Sequence, residues 1–443
     1  MCKKSKLIIT FIVAFPLIIT SACNGSPGPT STQKKTALNA SQETAAEEPI
    51  SNDQGLVLLD DHTFIQDETT LVTVFLLQNT DPQSTLEDVK YTVYAYNASG
   101  TQVGNDIGYI QFFFPDQIIG VVNEIWLDEG VSVDSVSVDW IIGDTNVYND
   151  FDYPFVVENS KYYSGDSGNY ITGVIKNTAD QIYTDLLVNA VAYNANDLVI
   201  GGGYTYVDFI PNKDQVGVSV RATLLEEPAR VEIYPTFSAF SMPIDAGKWR
   251  NNIELIDFGF VKDETEVGGG FLIKNVSDQI LVNSQYYITI YDADGYVCDA
   301  ESGYIDLLWP GETLGYSPGS IFIPEQSKPS KVDVIILPGE FGEHELTANP
   351  LTVENVKFVE HDDWPSVTAT LVNSLDQSIT NPEVYVLLYN ADGEIVGGGI
   401  SYPDDLAAKG SMEIEIFVIW IAEGAPAKIE VYPTIASWSE LGQ

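Results

Sequence analysis

Cysteine is scarce, with three in 443 residues, at Cys2, Cys23 and Cys298. Two of them fall within the first 23 positions, so the remainder of the chain holds Cys298 alone. A framework of intrachain disulfides is thereby excluded, and so is a cysteine metal cluster. Basic residues are few as well: 20 Lys and Arg stand against 64 Asp and Glu, a formal net charge of −44. Nucleic-acid binding rests on cations that neutralise phosphates, so nucleic acid is excluded as a partner. Flat docking on anionic lipid is disfavoured for the same reason. Histidine occurs three times, at His62, His344 and His361, which leaves little material for imidazole chemistry. Past the N-terminal region no apolar run reaches the ~20 residues that a membrane-crossing helix needs. Stability must therefore come from apolar cores, for which the chain is long enough if it divides into several domains.

What is present begins with Lys3, Lys4 and Lys6, followed by an apolar run from Leu7 to Ile19. The run is too short to span a bilayer and suits a signal-peptide core. It ends in Thr20-Ser21-Ala22-Cys23, small residues and then a cysteine. This resembles a bacterial lipobox, although Thr20 stands where Leu is usual. The resemblance implies a diacylglycerol on the Cys23 thiol and cleavage ahead of it. Residues 1–22 are then a lipoprotein signal peptide. Residues 23–50 are rich in Ser, Thr, Pro, Ala, Gln and Glu, and cannot bury enough surface to offset their conformational entropy. They are expected to form a disordered tether with a reach of roughly 30 Å. The predicted location is extracytoplasmic, on the bacterial cell surface or periplasmic face, with the membrane as partner through lipid at Cys23.

The rest of the chain is one unit written four times. Phe75-Leu-Leu-Gln-Asn79, Gly173-Val-Ile-Lys-Asn177, Phe271-Leu-Ile-Lys-Asn275 and Ala369-Thr-Leu-Val-Asn373 end in asparagines 98 residues apart. Tyr96-Asn97, Tyr193-Asn194, Tyr291-Asp292 and Tyr389-Asn390 follow at a near-constant interval. Gly201-Gly202-Gly203 recurs as Gly397-Gly398-Gly399, and Val231-Glu-Ile-Tyr-Pro235 as Ile429-Glu-Val-Tyr-Pro433. Duplication of this kind sets the domain plan. The repeats are placed at 51–153, 154–248, 249–348 and 349–443.

Within a unit the pattern is β. Before each tyrosine, alternate positions read Val188-Ala190-Ala192, Tyr286-Ile288-Ile290 and Val384-Val386-Leu388, an apolar face of period two. After it come Asn194-Ala-Asn-Asp197, Asp292-Ala-Asp-Gly295 and Asn390-Ala-Asp-Gly393, turn residues that join two strands. About a hundred residues of short strands and regular turns, with no amphipathic helix, predict an all-β chain of four tandem immunoglobulin-like β-sandwich repeats. The run from Phe271-Leu-Ile-Lys-Asn275 through Ile288-Thr-Ile-Tyr-Asp-Ala-Asp-Gly295 resembles the FxLYD domain, an immunoglobulin-like module of bacterial lipoproteins. The motif itself varies: Val93-Tyr-Ala-Tyr-Asn97, Ala190-Val-Ala-Tyr-Asn194, Ile288-Thr-Ile-Tyr-Asp292 and Val386-Leu-Leu-Tyr-Asn390 share only the tyrosine. The resemblance implies architecture and location, and brings no catalytic residues.

Three constellations bear on chemistry. Gly165-Asp166-Ser167-Gly168 copies part of a serine-protease nucleophile motif, but no histidine accompanies it in its repeat and sister repeats lack the serine, so Ser167 reads as a turn residue. Asp292, Asp294, Asp299 and Glu301 gather four carboxylates, yet not at calcium-loop spacing, and sister turns lose most of them. A structural turn is favoured over a metal site. Tyr193, Tyr291 and Tyr389 face away from the more apolar side of their strands, where they form a possible ligand platform for polysaccharide; coverage by a neighbouring sheet or domain is the competing expectation. Carboxylate pairs sufficient for a glycosidase arise by chance among 64 acids, but no repeat carries an insertion with reactive residues. The expectation is a non-catalytic protein with no cofactor. Its modules serve as a surface spacer, adhesion or ligand-binding array, with polysaccharide or protein as partner. A calcium-dependent module or a hydrolase hidden in one repeat is the alternative.

Overall fold

The computed structural model describes residues 55–149, 151–165, 168–244, 249–262, 266–343, 346–361, 364–420 and 424–436. The signal segment, Cys23 and the tether lie outside them, as do Ser167 and His344. All 28 strands among the described residues pair antiparallel, and they fall into four sets.

Module 1 comprises β1 (Leu56–Asp67), β2 (Thr70–Asn79), β3 (Thr85–Tyr96), β4 (Gln102–Phe113), β5 (Ile118–Trp126), β6 (Ser135–Ile141) and β7 (Asp144–Asn146). Its sheets run β1-β2-β5 and β4-β3-β6, with β7 also on β3. Module 2 comprises β8 (Phe155–Gly165), β9 (Gly168–Asn177), β10 (Tyr183–Tyr193), β11 (Val199–Ile210), β12 (Gln215–Leu224) and β13 (Arg230–Pro243). The same two layers, β8-β9-β12 and β11-β10-β13, are joined here where Gly201 and Gly202 meet Leu224 and Thr223.

Module 3 comprises β14 (Trp249–Arg250), β15 (Ile253–Lys262), β16 (Glu266–Asn275), β17 (Ile280–Asp292), β18 (Val297–Ile305), β19 (Thr313–Tyr316), β20 (Ser320–Phe322), β21 (Pro329–Ile336) and β22 (Gly339–Gly342). One layer is β15-β16-β19 with β20, and the other is built on β17, flanked by β18, β21 and β22. Module 4 comprises β23 (Leu351–Val359), β24 (Ser366–Asn373), β25 (Pro382–Tyr389), β26 (Ile395–Ser401), β27 (Ser411–Phe417) and β28 (Lys428–Ile435), layered as β23-β24-β27 and β26-β25-β28. The scheme is constant: in modules 1, 2 and 4 the first, second and fifth strands form one sheet and the fourth, third and sixth the other, and in module 3 β15, β16 and β19 take the first set of places and β18, β17 and β21 the second. We call these the front and back sheets.

The recurring asparagine explains its own periodicity. Asn79, Asn177, Asn275 and Asn373 are all buried. Each ends the second strand and turns its amide on the main chain of two loops. Asn275 Nδ2 donates to Gln279 O and Leu308 O, both at 2.8 Å, while Oδ1 accepts from the Ser277 amide at 2.9 Å. The other three make equivalent bonds. The amide thus ties two loops to the end of the strand, and no other side chain of that size supplies both a donor and an acceptor in this shape. The turn residue after the tyrosine is equally specific. Asp292 Oδ1 accepts from the amides of Asp294 and Tyr296, at 3.0 and 2.9 Å, and Gly295 takes the left-handed backbone (φ 84°) that the hairpin demands.

The modules stack sheet upon sheet. The front sheet of module 1 covers the back sheet of module 2, and the same relation holds between 2 and 3 and between 3 and 4; each substantial contact joins successive modules. The burial of the third strand records this. In β3 it alternates, with Val89, Tyr91, Val93 and Ala95 buried and Lys90, Thr92, Tyr94 and Tyr96 half-buried. In β25 every position is buried, and in β10 and β17 nearly every position of the second half is. A strand enclosed on both faces reads as a continuous apolar run rather than an alternating one.

Candidate ligand-binding faces and seams

Tyr193, Tyr291 and Tyr389 do not form an exposed platform. They are 3 %, 7 % and 4 % exposed, because the face they occupy is covered by the preceding module's front sheet. Tyr193 packs with Val72, Val74 and Leu76 of module 1, and Tyr291 with Val174 of module 2. Tyr389 shares its cluster with Leu387 and Ile395, against Leu272 of module 3. A cation from the same module closes each ring: Arg230 at 3.8 Å from the Tyr193 centroid, Lys331 at 5.3 Å from Tyr291, Lys428 at 4.7 Å from Tyr389. Burial pushes the Tyr193 phenol up to about 12. Sequence reasoning set a ligand platform on this outer face against coverage by a neighbouring sheet or domain; a neighbouring copy occupies it.

A glycine on the fifth strand makes that approach possible. Gly120, Gly217 and Gly315 hold equivalent places on β5, β12 and β19. A Cβ on Gly120 would collide with Val191 and Tyr234, one on Gly217 with Thr289, one on Gly315 with Tyr432 and Leu387. Across the ladder they pair with Leu76, Val174 and Leu272. Polar bonds add register: Asn189 Oδ1 accepts from the Val122 amide at 3.1 Å and Thr289 Oγ1 from the Gly217 amide at 3.0 Å. Tyr287 donates to Gly217 O at 2.9 Å, and Thr172 to Val297 O at 2.7 Å. In module 4 the glycine position is Glu413, facing Thr370, whose hydroxyl donates to Glu413 Oε1 at 2.7 Å. Glu415 and Thr368 lie beside them on the outer face of this front sheet, which also carries the exposed Phe417. The signal was present in the sequence as a glycine recurring at the repeat period and then replaced by glutamate.

At the opposite end the back sheet of module 1 is uncovered among the described residues. It presents Tyr94 and Tyr96 (ring centroids 6.5 Å apart), with Ile107 and Tyr109 on β4 and Ile141 on β6. Tyr96 is the counterpart of the three buried tyrosines. The edge of this sheet opens into a cleft of about 310 Å³ shared with module 2. Its lining includes Asp106, Tyr109 and Glu124 from module 1 and Tyr204, Tyr206 and Phe240 from module 2. Asn123 lies beneath, 5 % exposed, and its Nδ2 donates to Asp106 Oδ2 at 2.6 Å. Tyr91 lies over Gly108, where any larger residue would strike the phenol ring. Burial raises the Tyr91 hydroxyl well above its usual range, with the Asp106 charge adding to it.

The other constellations resolve into structural bonds. Asp292 uses its remaining oxygen on Lys161 of module 2, at 3.1 Å, so this carboxylate is spent on a turn and a seam. Asp299 and Glu301 are half-buried along β18, and desolvation pushes their carboxyls up to about 6 and about 7. No group of three His, Cys, Asp or Glu that could hold a metal occurs among the described residues. Gly165 pairs with Gly168 across β8 and β9, and Asp166 and Ser167 lie outside the described residues. A different trio, His361, Ser366 and Glu415, lies together on module 4. His361 Nε2 is 3.1 Å from Ser366 Oγ and 3.2 Å from Glu415 Oε1, while Ser366 donates to the same Oε1 at 2.7 Å. A relay needs the imidazole between serine and carboxylate, using both of its nitrogens. Here one nitrogen faces both partners and the serine is fully buried, which is a clasp between strands.

No family model and no curated protein matches the chain. Among solved structures it is similar to one described as the crystal structure of tetra-tandem repeat in extending region of large adhesion protein. The match has 12 % identity and a TM-score of 0.12, over 83 % of this chain and 92 % of that one. A likeness of that size carries no weight for function.

Proposed function

We propose that this chain is a non-catalytic, lipid-anchored surface scaffold of the bacterial envelope. Its stacked modules hold ligand-binding faces at fixed positions away from the membrane. The observation that carries the reading is the continuity of the stack. Third strands are enclosed by the preceding module, and main-chain and side-chain bonds cross the 1/2 and 2/3 seams. Apolar side chains of one module also enter the core cluster of the next: Phe114 joins module 2, and Ile280, Leu307 and Trp309 join module 4. Burial of each such side chain contributes about 1.5–3 kcal/mol, enough to hold neighbours in one orientation. An array of freely jointed modules would leave those faces polar. The lipobox-like Thr20-Ser-Ala-Cys23 and the polar tether support anchorage at one end, with the net charge of −44 keeping the array off acidic surfaces.

Two measurements test this. Spin-label distances between modules 1 and 4 of the full chain are expected to be narrowly distributed; a broad distribution would replace the scaffold with a flexible string. Mass spectrometry of the chain recovered from bacterial membranes is expected to find Cys23 as an acylated N-terminus, and an unmodified Cys23 removes the anchor.

A further inference from the structure

We propose that the cleft between modules 1 and 2 binds an uncharged polysaccharide, with Tyr204, Tyr206 and Phe240 as stacking surfaces and Asp106 and Glu124 as hydroxyl acceptors. The inference rests on the reading of the chain as a ligand-presenting scaffold and supplies its ligand class. The back sheet of module 2 is divided in two. Asn189, Val191 and Tyr193 are sealed beneath module 1. Tyr204, the cross-strand partner of Asn189, Tyr206, the partner of Leu187, and Phe240 on β13 remain open, Tyr206 at 51 % and Phe240 at 71 % exposure. Tyr109 and Ile107 of module 1 are likewise open at the rim. An exposed apolar surface of this kind, concave and bordered by polar groups, is how small-ligand sites are built. Tyr204 and Tyr206 stand edge to face, with centroids 6.3 Å apart and planes at 88°. They offer one ring face and one ring edge to a ligand rather than a closed aromatic pair.

The polar side of the cleft sets the chemistry. Asn123 holds one oxygen of Asp106 from below, which leaves the other to accept from a ligand. Glu124 is exposed on the neighbouring strand. Carboxylates accept hydrogen bonds and donate none when ionised, so the matching ligand brings donors: neighbouring hydroxyls. Its carbon-bound hydrogens would lie on the tyrosine and phenylalanine faces. A sugar ring has both on one body. None of the lining residues is Lys, Arg or His. With two carboxylates in the cleft and a strongly negative chain, acidic polysaccharide is repelled. The ~310 Å³ volume is at the low end for small-ligand sites, and the open sheet of module 1 lets a longer chain continue past Tyr109.

The design recurs two modules on. Tyr286 lies over Gly303 as Tyr91 lies over Gly108. Glu301 takes the place of Asp106, and Tyr402 that of Tyr206, and both act electrostatically on the Tyr286 phenol. Between modules 2 and 3 the corresponding residues are Val188 and Gly203, which carry none of this chemistry. Tyr204 is replaced by Ile400 at the second place, so the 1/2 cleft is the fuller site.

The test is calorimetry of the full chain in detergent with cello-, xylo- and chito-oligosaccharides, and with oligogalacturonate as the acidic comparator. At least one neutral oligosaccharide is expected to bind with an affinity indifferent to salt, and oligogalacturonate not to bind. Tyr206→Ala and Tyr204→Ala are each expected to weaken binding about tenfold or more. Both side chains are exposed, so melting temperature should stay unchanged and report that folding is intact. Asp106→Asn should weaken binding while Tyr94→Ala, on the open face away from the cleft, should not. Three outcomes overturn the proposal: no neutral oligosaccharide binds, the tyrosine variants bind like the parent, or only the acidic oligosaccharide binds. Failure here, with narrow spin-label distances retained, removes the ligand assignment and leaves the scaffold standing.

Discussion

Replacing Asn373 by alanine should cost module 4 about 3 kcal/mol. The figure follows from what the side chain holds. Its Nδ2 donates to Gln377 O at 2.8 Å and Ala407 O at 3.1 Å, and more weakly to Leu406 O at 3.4 Å; its Oδ1 accepts from the Leu375 amide at 2.8 Å. Three firm bonds to part-buried main-chain groups contribute about 1 kcal/mol each. Asn373→Asp separates the donor from the shape. It keeps the outline and the bond from Leu375, but turns an oxygen toward three carbonyl oxygens. That variant can donate only when protonated, so its folded-state pKa is raised, and its stability is present at low pH and lost as pH rises through that value. The assay is hydrogen exchange across β24 and β25 in the full chain, which reads the opening of module 4 alone. Alanine should speed exchange equally at pH 5 and pH 8, whereas aspartate should be milder at pH 5. A change below about 0.5 kcal/mol for alanine, the scale of an ordinary surface substitution, would refute the assignment of the recurring asparagine as the tie between loops. So would an aspartate variant indifferent to pH.

Other predictions follow from the seams. Gly217→Val should separate modules 2 and 3, because its side chain meets Thr289; a cost of about 1–3 kcal/mol is expected as a lowered melting temperature, with broadened spin-label distances across that seam. Glu383 is buried beside Tyr385, whose hydroxyl donates to it at 2.7 Å, and burial raises its carboxyl to about 7. The folded state therefore holds this proton more tightly than the unfolded chain does, and the associated stability is present below about 4.5 and lost as pH rises through about 7. Glu383→Gln should leave stability unchanged at pH 4 and raise it by about 3 kcal/mol at pH 8, measured by urea denaturation. Lys161→Ala, which removes a partly exposed ion pair with Asp292, should cost less than about 1 kcal/mol in the same assay.

The all-β class and the tandem sandwiches were legible because both leave marks of short range. Alternation along Val188-Ala190-Ala192 and Asn-Ala-Asp-Gly turns are local consequences of strand geometry, and duplication writes them repeatedly. The seams were legible only in outline: coverage by a neighbouring sheet or domain was one expectation for the tyrosine face, without the copy or sheet that supplies it. Val191 and Tyr193 lie on a face that looks available when a module is considered alone, and only contact with Val74 and Leu76 fills it. The cleft was hidden for a related reason: Asp106 and Asn123 lie in one module and Tyr204 and Tyr206 in the next. Nothing in the spacing of one repeat brings those pairs together. Tyr96 could have been singled out, since the first copy has no predecessor among the repeats, but that inference requires knowing that copies cover one another.

Glu413 gives the architecture a grammar of insertion. A copy duplicated internally would inherit a glycine at that position below it and an apolar face above it, and could join the column without altering either end. A copy appended after module 4 would meet a carboxylate where the preceding junctions have no side chain at all. A whole module can therefore be added or removed between modules 1 and 4 with the same glycine junction kept at each seam, whereas the Glu413 face does not offer that junction. The number of modules becomes a quantity that can be changed in discrete steps.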